Sequence, residues 1–503
     1  MGENSYAVIG SDSEAAFLKT FAGSGLKWSA EGVTAAVYLA KPISVNKTSG
    51  ALTVDGSLNT YVEPAANAVK FASKSLLMTD ASAIEEKALI TVEDGAVEVS
   101  DEATAVLANV KAGTAYKLFS TDDAWTGKVL AANAMFEWVD GVGSSSDGVV
   151  FGLKDAADVY GSMMQGTALA NAAMKSVGAD YDYANGLLTS FELSAADAAR
   201  RFDAAMNPAG AMAAFTTAKD RSSELVDAVR AHAGSTAENG LWVEVAGGKT
   251  KLKGISTGGL DLDVDTDSYG LVLGGEAALS NFSIGGALTA GSGKSENDAV
   301  AGKDEFDYYG FALYAKTAVH GIELAGDLSA TWVKSDFTVG GAADADADTT
   351  TAVYQLGIEA RKTIDLGVDV TPFIGADLYH VRSDGFTTNH GAAVDDADAT
   401  IVEFPIGVEV AKAFDAQAGL KVSPSFSFAV VPTVGSKEIE SKVAFAGAES
   451  NYRFTFADDV KIRTRLGLEA EKQNFTFGIQ AGYDWGNEER SAASVQLRAK
   501  YAF

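Results

Sequence analysis

The chain has 503 residues, a net charge of −29 and no cysteine. This composition excludes a disulfide framework, a thiolate metal site and a cysteine nucleophile, and the acidic charge argues against nucleic-acid binding. No window approaches the roughly 18 consecutive apolar residues of a membrane-spanning helix. The N-terminus has neither the basic nor the apolar region of an export signal, so we expect a mature or truncated product.

Residues 1–187 contain short strand-like segments separated by Gly, Asp and Ser, for example 51–58, 88–93 and 96–99. Such rungs predict a β-solenoid-like domain, although no regular repeat can be counted. A denser aromatic segment with Trp125 and Trp138 would cap the end of the solenoid.

Residues 188–236 change character and predict a helical linker. Ser194 stands three residues before Asp197, which is a capping-box-like start for an alanine-rich helix, and Asn207-Pro208 then ends it. A second helix over about 209–232 would be roughly 36 Å long, enough to cross a hydrocarbon core of about 30 Å. Its charged side chains forbid contact with lipid and would suit a polar lumen. They are Lys219, Asp220, Arg221, Glu224, Asp227 and Arg230.

Residues 237–503 contain segments in which apolar and polar residues alternate, joined by connections that are in turn short and long. Outer-membrane barrels have this asymmetry, with short periplasmic turns and longer outer loops. We predict twelve strands, near 241–249, 267–279, 281–292, 305–318, 321–336, 350–364, 366–381, 399–412, 416–430, 459–472, 473–486 and 491–503.

One face of these strands is continuously apolar and the other carries charges of both signs. Val495, Leu497, Tyr501 and Phe503 share a face in the last strand, which ends the chain on an aromatic residue. A soluble sandwich could show this pattern in one strand, but strand count, loop alternation and the terminal aromatic favour a membrane barrel. The fold class is therefore mainly β. We expect a 12-stranded antiparallel transmembrane β-barrel, plugged by an α-helix and preceded by a β-solenoid-like segment.

The inward-facing charges allow two interpretations. They form either a solvated wall without defined partners, or a wall in which some charges pair with Arg221, Glu224, Asp227 or Arg230 of the helix and hold it in place. The wall residues are Glu323, Asp327, Glu359, Asp369, Asp377, Glu403, Glu409, Arg463, Arg465, Arg498 and Lys500. The outward aromatics Tyr501, Phe503, Trp485 and Trp332 are typical of an interfacial girdle rather than of a ligand site.

The sequence contains no clear motif for a catalytic site or a metal site. All four histidines lie outside residues 1–231, so that region cannot build a Ser-His-Asp or histidine-metal site. Gly10-Ser11-Asp12-Ser13 has the wrong order for an esterase motif. The acidic runs 344–348 and 395–398 lack EF-hand spacing and are expected to be solvated loops. We expect no enzyme activity, no cofactor and no metal.

The whole pattern resembles the classical (type V) autotransporters. The resemblance rests on the linker around 184–203, on Gly240-Leu241-Trp242-Val243 opening the barrel, and on the terminal Tyr501-Ala502-Phe503. It implies that residues 1–187 are the membrane-proximal part of an exported passenger, with an autochaperone-like end near 88–155. It implies that helix 209–232 is the pore-spanning linker.

The resemblance also implies the partners and the location. These are outer-membrane lipid, periplasmic chaperones and the barrel-assembly machinery, which would read Phe503 in the terminal strand. The expected state is a monomer in the bacterial outer membrane, with residues 1–187 on the cell exterior.

One departure from part of the family has a consequence. Members that cut themselves inside the barrel use an asparagine in the pore helix, and residues 209–232 contain none. We therefore expect no cleavage there. Two alternatives stay open: a 12-stranded outer-membrane channel with a periplasmic N-terminal domain, and a soluble all-β adhesive protein.

Overall fold

The structure is a computed structural model. It describes residues 6–9, 35–39, 41–48, 50–54, 60–61, 67–84, 87–133, 135–139, 148–176, 179–189, 193–232, 239–257, 260–279, 282–340, 345–416, 419–487 and 490–503. The Gly10–Ser13 motif, the chain's first residues and Asp344 lie outside the described residues. Two compact units are present: residues 1–161 with 173–199, and residues 162–172 with 200–503.

The first unit contains fourteen short described strands and a 3₁₀ turn at Ala81–Ile84. The strands are β1 Tyr6–Ile9, β2 Ala35–Leu39, β3 Ile43–Asn46, β4 Ala51–Val54, β5 Thr60–Tyr61, β6 Asn67–Phe71, β7 Ser75–Asp80, β8 Ile90–Asp94, β9 Ala96–Val99, β10 Thr104–Ala108, β11 Ala115–Tyr116, β12 Lys128–Ala131, β13 Phe136–Trp138 and β14 Val149–Leu153.

Most of these strands pair in parallel with strands from later in the chain. One sheet has the order β1-β2-β7-β10-β12, a second pairs β3 with β8, and a third has the order β5-β4-β6-β9. Parallel neighbours 17 to 48 residues apart are compatible with stacked rungs, and a β-solenoid passenger stays a prediction. Strands β11, β14 and β13 form a separate antiparallel sheet. Trp125 lies between Phe71 and Phe119, with ring centroids 4.9 and 6.2 Å away.

Helices begin earlier than the sequence predicted. They are α1 Ala156–Tyr160, α2 Thr167–Lys175, α3 Ala179–Thr189, α4 Ala195–Met206, α5 Pro208–Ala211 and α6 Ala214–His232, with a 3₁₀ turn at Gly161–Met163. The first three fall in the region expected to be strands, where alanine-rich segments favour helix. Ser194 caps the start of α4 as predicted, since the Asp197 amide donates to Ser194 Oγ at 3.1 Å and this hydroxyl donates to the Asp197 carboxylate at 2.7 Å.

The predicted helix 209–232 is two helices with a break at Met212-Ala213. Ala213 has a φ of 56°, in the left-handed region, and Met212 is fully buried. Met212 packs with Val300, Phe337 and Val339. We attribute the break to this packing, because a continuous helix would carry Met212 away from that apolar cluster.

The C-terminal sheet closes into a barrel of twelve antiparallel strands, as predicted. The barrel is formed by β15 Gly240–Thr257, β16 Leu260–Leu279, β17 Phe282–Asn297, β18 Gly302–Val319, β19 Ile322–Val339, β20 Ala345–Arg361, β21 Ile364–Asp365, β22 Asp369–Ser383, β25 Ala397–Glu403, β26 Ile406–Ala411, β27 Phe414–Asp415, β28 Lys421–Gly435, β31 Val460–Lys472, β32 Phe475–Gly486 and β33 Arg490–Ala502. The same region also contains β23 Phe386–Thr387, β24 Ala393–Val394, β29 Glu438–Phe445, β30 Ala448–Thr455 and a 3₁₀ turn at Asp298–Val300. The first strand pairs with the last, from Gly240 opposite Ala502 to Leu252 opposite Arg490.

One barrel strand is written as β25 and β26 because Pro405 interrupts it. Proline has no amide hydrogen for the ladder. The Gly375 amide still donates to the Pro405 carbonyl at 2.8 Å. A side chain at Gly375 would have its Cβ 3.0 Å from the proline ring, so glycine leaves room for the interruption.

The strands extend further at the long-loop end than expected. Most of the predicted loops 250–266, 293–304 and 337–349 is paired strand, including the acidic residues 345–348. The sequence prediction stopped each strand where the apolar alternation stopped, but backbone pairing continues beyond the apolar band with polar side chains on both faces. A four-stranded sheet, β23-β24-β29-β30, stands at the same end.

The outer face of the barrel is apolar. Of the exposed large apolar side chains in the described part of the chain, all but Leu130 and Val139 lie in 241–503. Phe475 and Trp485 mark two ends of this face on one strand. Ten residues at about 3.3 Å each, tilted by about 40°, give about 25 Å along the barrel axis. That height matches the apolar band of an outer-membrane barrel.

Aromatic side chains stand at both ends of this band. Tyr501 packs against Phe475 and Phe503, with ring centroids 4.9 and 6.0 Å away, near the tight turns. Trp485 packs on Tyr483 near the long loops, and Trp332 stacks on Tyr309 at 5.6 Å.

None of the helices that the structure describes is both long enough and apolar enough to span a bilayer.

The first prediction tests the assignment of the two faces. Leu497 is 54% exposed in the middle of the apolar band. Leu497→Arg should destabilise the barrel in a bilayer by about 2–4 kcal/mol, because a charge is moved into hydrocarbon. Gln480→Arg, on the inner face of the neighbouring strand, should cost much less. Urea titrations of the folded protein in liposomes measure both, and equal costs would contradict the assigned faces.

Candidate functional site: the helix inside the barrel

Helix α6 lies in the barrel lumen and is buried although it is charged. It packs against β16, β18, β19, β20 and β22. Lys219, Arg221 and Arg230 are 1%, 4% and 9% exposed. Buried charges are costly unless they are paired, so the function of this helix depends on where its partners are.

The first contact is made by Lys219, near the end of α6 that lies at the long loops of the barrel. Its ammonium group donates to Glu403 of β25, and Lys461 of β31 approaches the same carboxylate at 2.8 Å. Lys219 also lies 5.1 Å from the ring centre of Tyr379. One wall carboxylate thus pairs with a helix cation and a wall cation together.

Arg230, two residues before the end of α6, lies in a socket formed by three wall carboxylates. Its guanidinium group lies 2.8 Å from Asp327, donates to Asp377 at 3.1 Å and lies 3.9 Å from Glu359. Gln355 donates to Asp327 at 2.7 Å and holds that carboxylate in place. Gly357 makes room, since a Cβ there would be 2.2 Å from the guanidinium nitrogen.

The anionic residues of α6 pair with arginines on other strands. Asp227 contacts Arg463 at 3.1 Å and Arg465 at 3.6 Å, and both arginines also approach Asp484 of β32. Asp220 accepts a hydrogen bond from Arg490 at the start of β33. The helix is therefore tied to the opposite side of the barrel from the Arg230 socket.

Arg221 is held mainly by its own helix. It contacts Glu224 at 2.7 Å in an i,i+3 pair, donates to Ser268 and lies 5.8 Å from the ring centre of Tyr308. At the inner end of α6, His232 stacks on Trp242 at 4.1 Å, and Trp242 Nε1 donates to Tyr314 at 3.3 Å.

The outer end of the linker is held by a second polar cluster. Asp203 of α4 is 1% exposed and accepts hydrogen bonds from the amides of Gln165 and Gly166 and from Tyr452 Oη, at 2.7, 3.0 and 2.9 Å. Desolvation by burial raises the pKa of Asp203 to about 7. The three hydrogen bonds stabilise the ionised carboxylate and lower the pKa, but their effect is smaller than that of burial.

The predicted wall residues fall into two groups. Asp327, Asp377, Glu359, Glu403, Arg463 and Arg465 contact α6. The others do not: Lys500 pairs with Glu276 at 2.6 Å, Arg498 approaches Glu469 at 3.5 Å, Glu323 and Glu409 lie near Arg361, and Asp369 is exposed. The second group lies toward the tight turns, beyond the inner end of the helix.

Sequence reasoning missed three partners: Lys461, Asp484 and Arg490. The alternation of side chains places Lys461 and Asp484 on the polar faces of their strands, but neither was included among the predicted wall residues. Arg490 was assigned to a loop, and only the register of the closing strand brings it to Asp220.

The second prediction tests the Arg230 socket. Gly357→Ala places a Cβ 2.2 Å from Arg230 and 2.4 Å from Asp377. It should destabilise the folded barrel by about 1–3 kcal/mol through overpacking. Gly326→Ala is the matched control, because its Cβ would have no neighbour closer than 3.8 Å. Thermal unfolding followed by gel mobility measures both, and equal midpoints would show that the socket is not tightly packed.

Comparison with known proteins agrees with this geometry. Residues 241–484 match the family model described as Autotransporter beta-domain. No curated protein sequence is significantly similar to the chain.

The solved structures that match part of the chain include three autotransporter domains. The translocator domain of NalP from Neisseria meningitidis is 13% identical, covering 60% of this chain and all of its own, with a TM-score of 0.47. The transport unit of AIDA-I from Escherichia coli is 15% identical over 56% of this chain and 98% of its own, at 0.42. The β-domain of the Bordetella autotransporter BrkA is 13% identical over 53% and 100%, also at 0.42.

The family match runs from β15 into β32, and β33 with Arg490 lies outside it. A domain of this family anchors in the outer membrane and exports the passenger that precedes it, which is transport rather than catalysis. Residues 241–484 are thus an autotransporter β-domain.

Proposed function

We propose that α6 is the linker left in the pore after export, and that it closes the barrel it has passed through. The observation that carries this proposal is the pairing of Lys219, Asp220, Asp227 and Arg230 with wall residues. A helix of 19 residues is about 28 Å long and so matches the apolar band.

The direction of the chain supports an exterior position for residues 1–187. At the long-loop end, Asn297 Nδ2 donates to the Ala211 carbonyl at 3.0 Å and Thr216 donates to the Phe456 carbonyl at 3.1 Å. At the tight-turn end, the Phe503 amide donates to Asn239 at 2.9 Å, next to the start of β15. Short turns of such barrels face the periplasm, so the segment before α6 emerges outside the cell.

The ion pairs give this position its stability. Removing one member of a buried pair leaves the other unpaired and costs about 3–5 kcal/mol. Several such pairs on different strands oppose sliding of the helix in either direction. Folding of residues 1–187 outside would oppose back-sliding further.

The remaining expectations from the sequence belong to the same proposal. Outer-membrane lipid surrounds a monomer, the barrel-assembly machinery and periplasmic chaperones handle it before insertion, and Phe503 belongs to the assembly signal. Residues 1–187 contain no histidine and are proposed to have no catalytic role.

The competing function is a 12-stranded channel with its N-terminal region in the periplasm. Under that reading, proteinase added to intact cells would spare residues 1–187. If residues 1–187 lie outside the cell, as we propose, the proteinase removes them.

The third prediction concerns pore closure. Reversing Arg221 and Arg230 to Glu would place carboxylates among Glu224, Asp327 and Asp377 and should displace the helix. We expect planar-bilayer conductance to rise from closed to frequent full openings. Arg382→Glu is the control, since its side chain is 55% exposed and does not contact α6 among the described contacts. Unchanged conductance in the double variant would contradict a lock built from ion pairs.

The fourth prediction concerns processing. Because α6 contains no asparagine, the linker should stay uncut within 209–232 after assembly. Mass spectrometry of the heat-denatured outer-membrane protein should show one chain across this region. A clean break between these residues would refute the prediction.

A further inference from the structure

Residues 162–172 belong to the compact unit of the barrel, although the chain on both sides of them belongs to the N-terminal unit. The linker therefore reaches the barrel unit twice: once at 162–172 and again from residue 200 onward. The second passage leads into the pore helix. The first has no role in the function described so far, and its contacts are specific.

The hairpin β29–β30, at the long-loop end of the barrel, is called the outer hairpin. Gln165 forms hydrogen bonds with its backbone as a residue of a neighbouring strand would. Its side-chain amide donates to the Arg453 carbonyl at 3.1 Å, and the Arg453 amide donates to its side-chain oxygen at 2.7 Å. A single glutamine side chain thus satisfies both backbone groups at this position of β30.

The adjoining backbone is held by Asp203 and Tyr452. Asp203 accepts the amides of Gln165 and Gly166, and the Tyr452 hydroxyl donates to the same carboxylate at 2.9 Å. Tyr452 is fully buried. A Cβ on Gly166 would be 2.1 Å from the Tyr452 hydroxyl, so only glycine allows this close approach.

A neighbouring contact ties the same hairpin to the second passage. Phe454 lies over Gly210 of α5, where a Cβ would be 2.1 Å from the phenyl ring. Hairpin β29–β30 therefore contacts the linker both at 165–166 and at the entrance to the pore.

We propose that Gln165, Gly166, Asp203, Tyr452 and Arg453 form an outer clamp that holds the N-terminal part of the chain on the barrel independently of the covalent linker. A cut between residues 173 and 199 then leaves the N-terminal fragment attached, because segment 162–172 stays docked on the barrel. This inference rests on the proposed exterior position of residues 1–187.

The surroundings of Asp203 make the clamp sensitive to pH. Tyr452 is the titratable group that contacts it, and segment 162–166 carries no charge. The hairpin's Glu440, Lys442, Glu449 and Arg453 are 45–64% exposed and pair among themselves, and α4 contributes Arg200 and Arg201.

Burial in the docked state raises the pKa of Asp203 from 3.8 to about 7. At a pH between these two values, docking is therefore coupled to protonation of the Asp203 carboxylate. The clamp is strongest below about pH 4, weakens as the pH rises toward 7, and is constant above that.

The experiment uses the full chain on intact cells, with a site-specific protease sequence inserted after Ser190 and an epitope tag at the N-terminus. After cleavage, the tagged fragment is measured on the washed cells and in the medium at pH 5 and pH 8. We expect the fragment to stay on the cells, with less release at pH 5. Tyr452→Phe and Gly166→Ala should each increase release about tenfold.

Asp203→Asn should remove the pH dependence of release, which a purely structural role would leave in place. Tyr483→Phe, in the aromatic band, is the matched control and should behave as the parent. Gel mobility before and after heating confirms that each barrel is folded.

Release of the parent fragment as fast as that of the variants would overturn the proposal, and so would equal retention in all of them. If the inserted site cannot be cut on intact cells but is cut after permeabilisation, the exterior position itself fails, and the proposal fails with it.

Discussion

Closure of the sheet is the constraint on which the rest of this molecule depends. A strand edge inside a bilayer would leave backbone amides and carbonyls without partners, at a cost of several kcal/mol each. Pairing of β15 with β33 along thirteen consecutive residues, from Gly240 to Leu252, removes both edges. Closure by twelve strands then creates a lumen wide enough for a helix, and the alternation of side chains turns polar groups toward it.

The charges of the helix and the charges of the barrel wall stabilise one another by pairing. Wall charges in a confined lumen lose part of their hydration, and so do the charges of a helix placed there. In the structure the helix charges find partners on β19, β25, β31 and β33, through Asp327, Glu403, Arg463 and Arg490. Because these strands lie around the barrel and the contacts lie at different depths, the set defines both rotation and height of the helix.

The period of the side-chain pattern made the barrel predictable. Alternation locates strands wherever one face meets lipid, so all twelve were found from the sequence. It fails beyond the lipid, where 345–348 and 438–455 pair through their backbones with polar side chains on both faces. The N-terminal helices were missed because short alanine-rich segments between glycines give a weak pattern.

The site was predictable in kind and only partly in detail. The charges of α6 indicated a polar lumen, and alternation identified Asp327, Glu403 and Arg463 as inward-facing. Which charge meets which depends on the stagger between strands far apart in sequence. The Arg490–Asp220 pair is an example, since its members are 270 residues apart. Proline and glycine positions such as Pro405 and Gly357 acquire meaning only once neighbours across the sheet are known.

The direction in which the chain threads the barrel can be measured by labelling single cysteines on intact cells with a membrane-impermeant maleimide. The chain has no cysteine, so the background is clean. Glu93→Cys in the N-terminal unit and Glu449→Cys on the outer hairpin should be labelled on intact cells, whereas Asn474→Cys in a tight turn should react only after permeabilisation; all three sites are exposed. Labelling of Asn474→Cys together with protection of Glu93→Cys would contradict the threading of this chain from the outside into its own barrel.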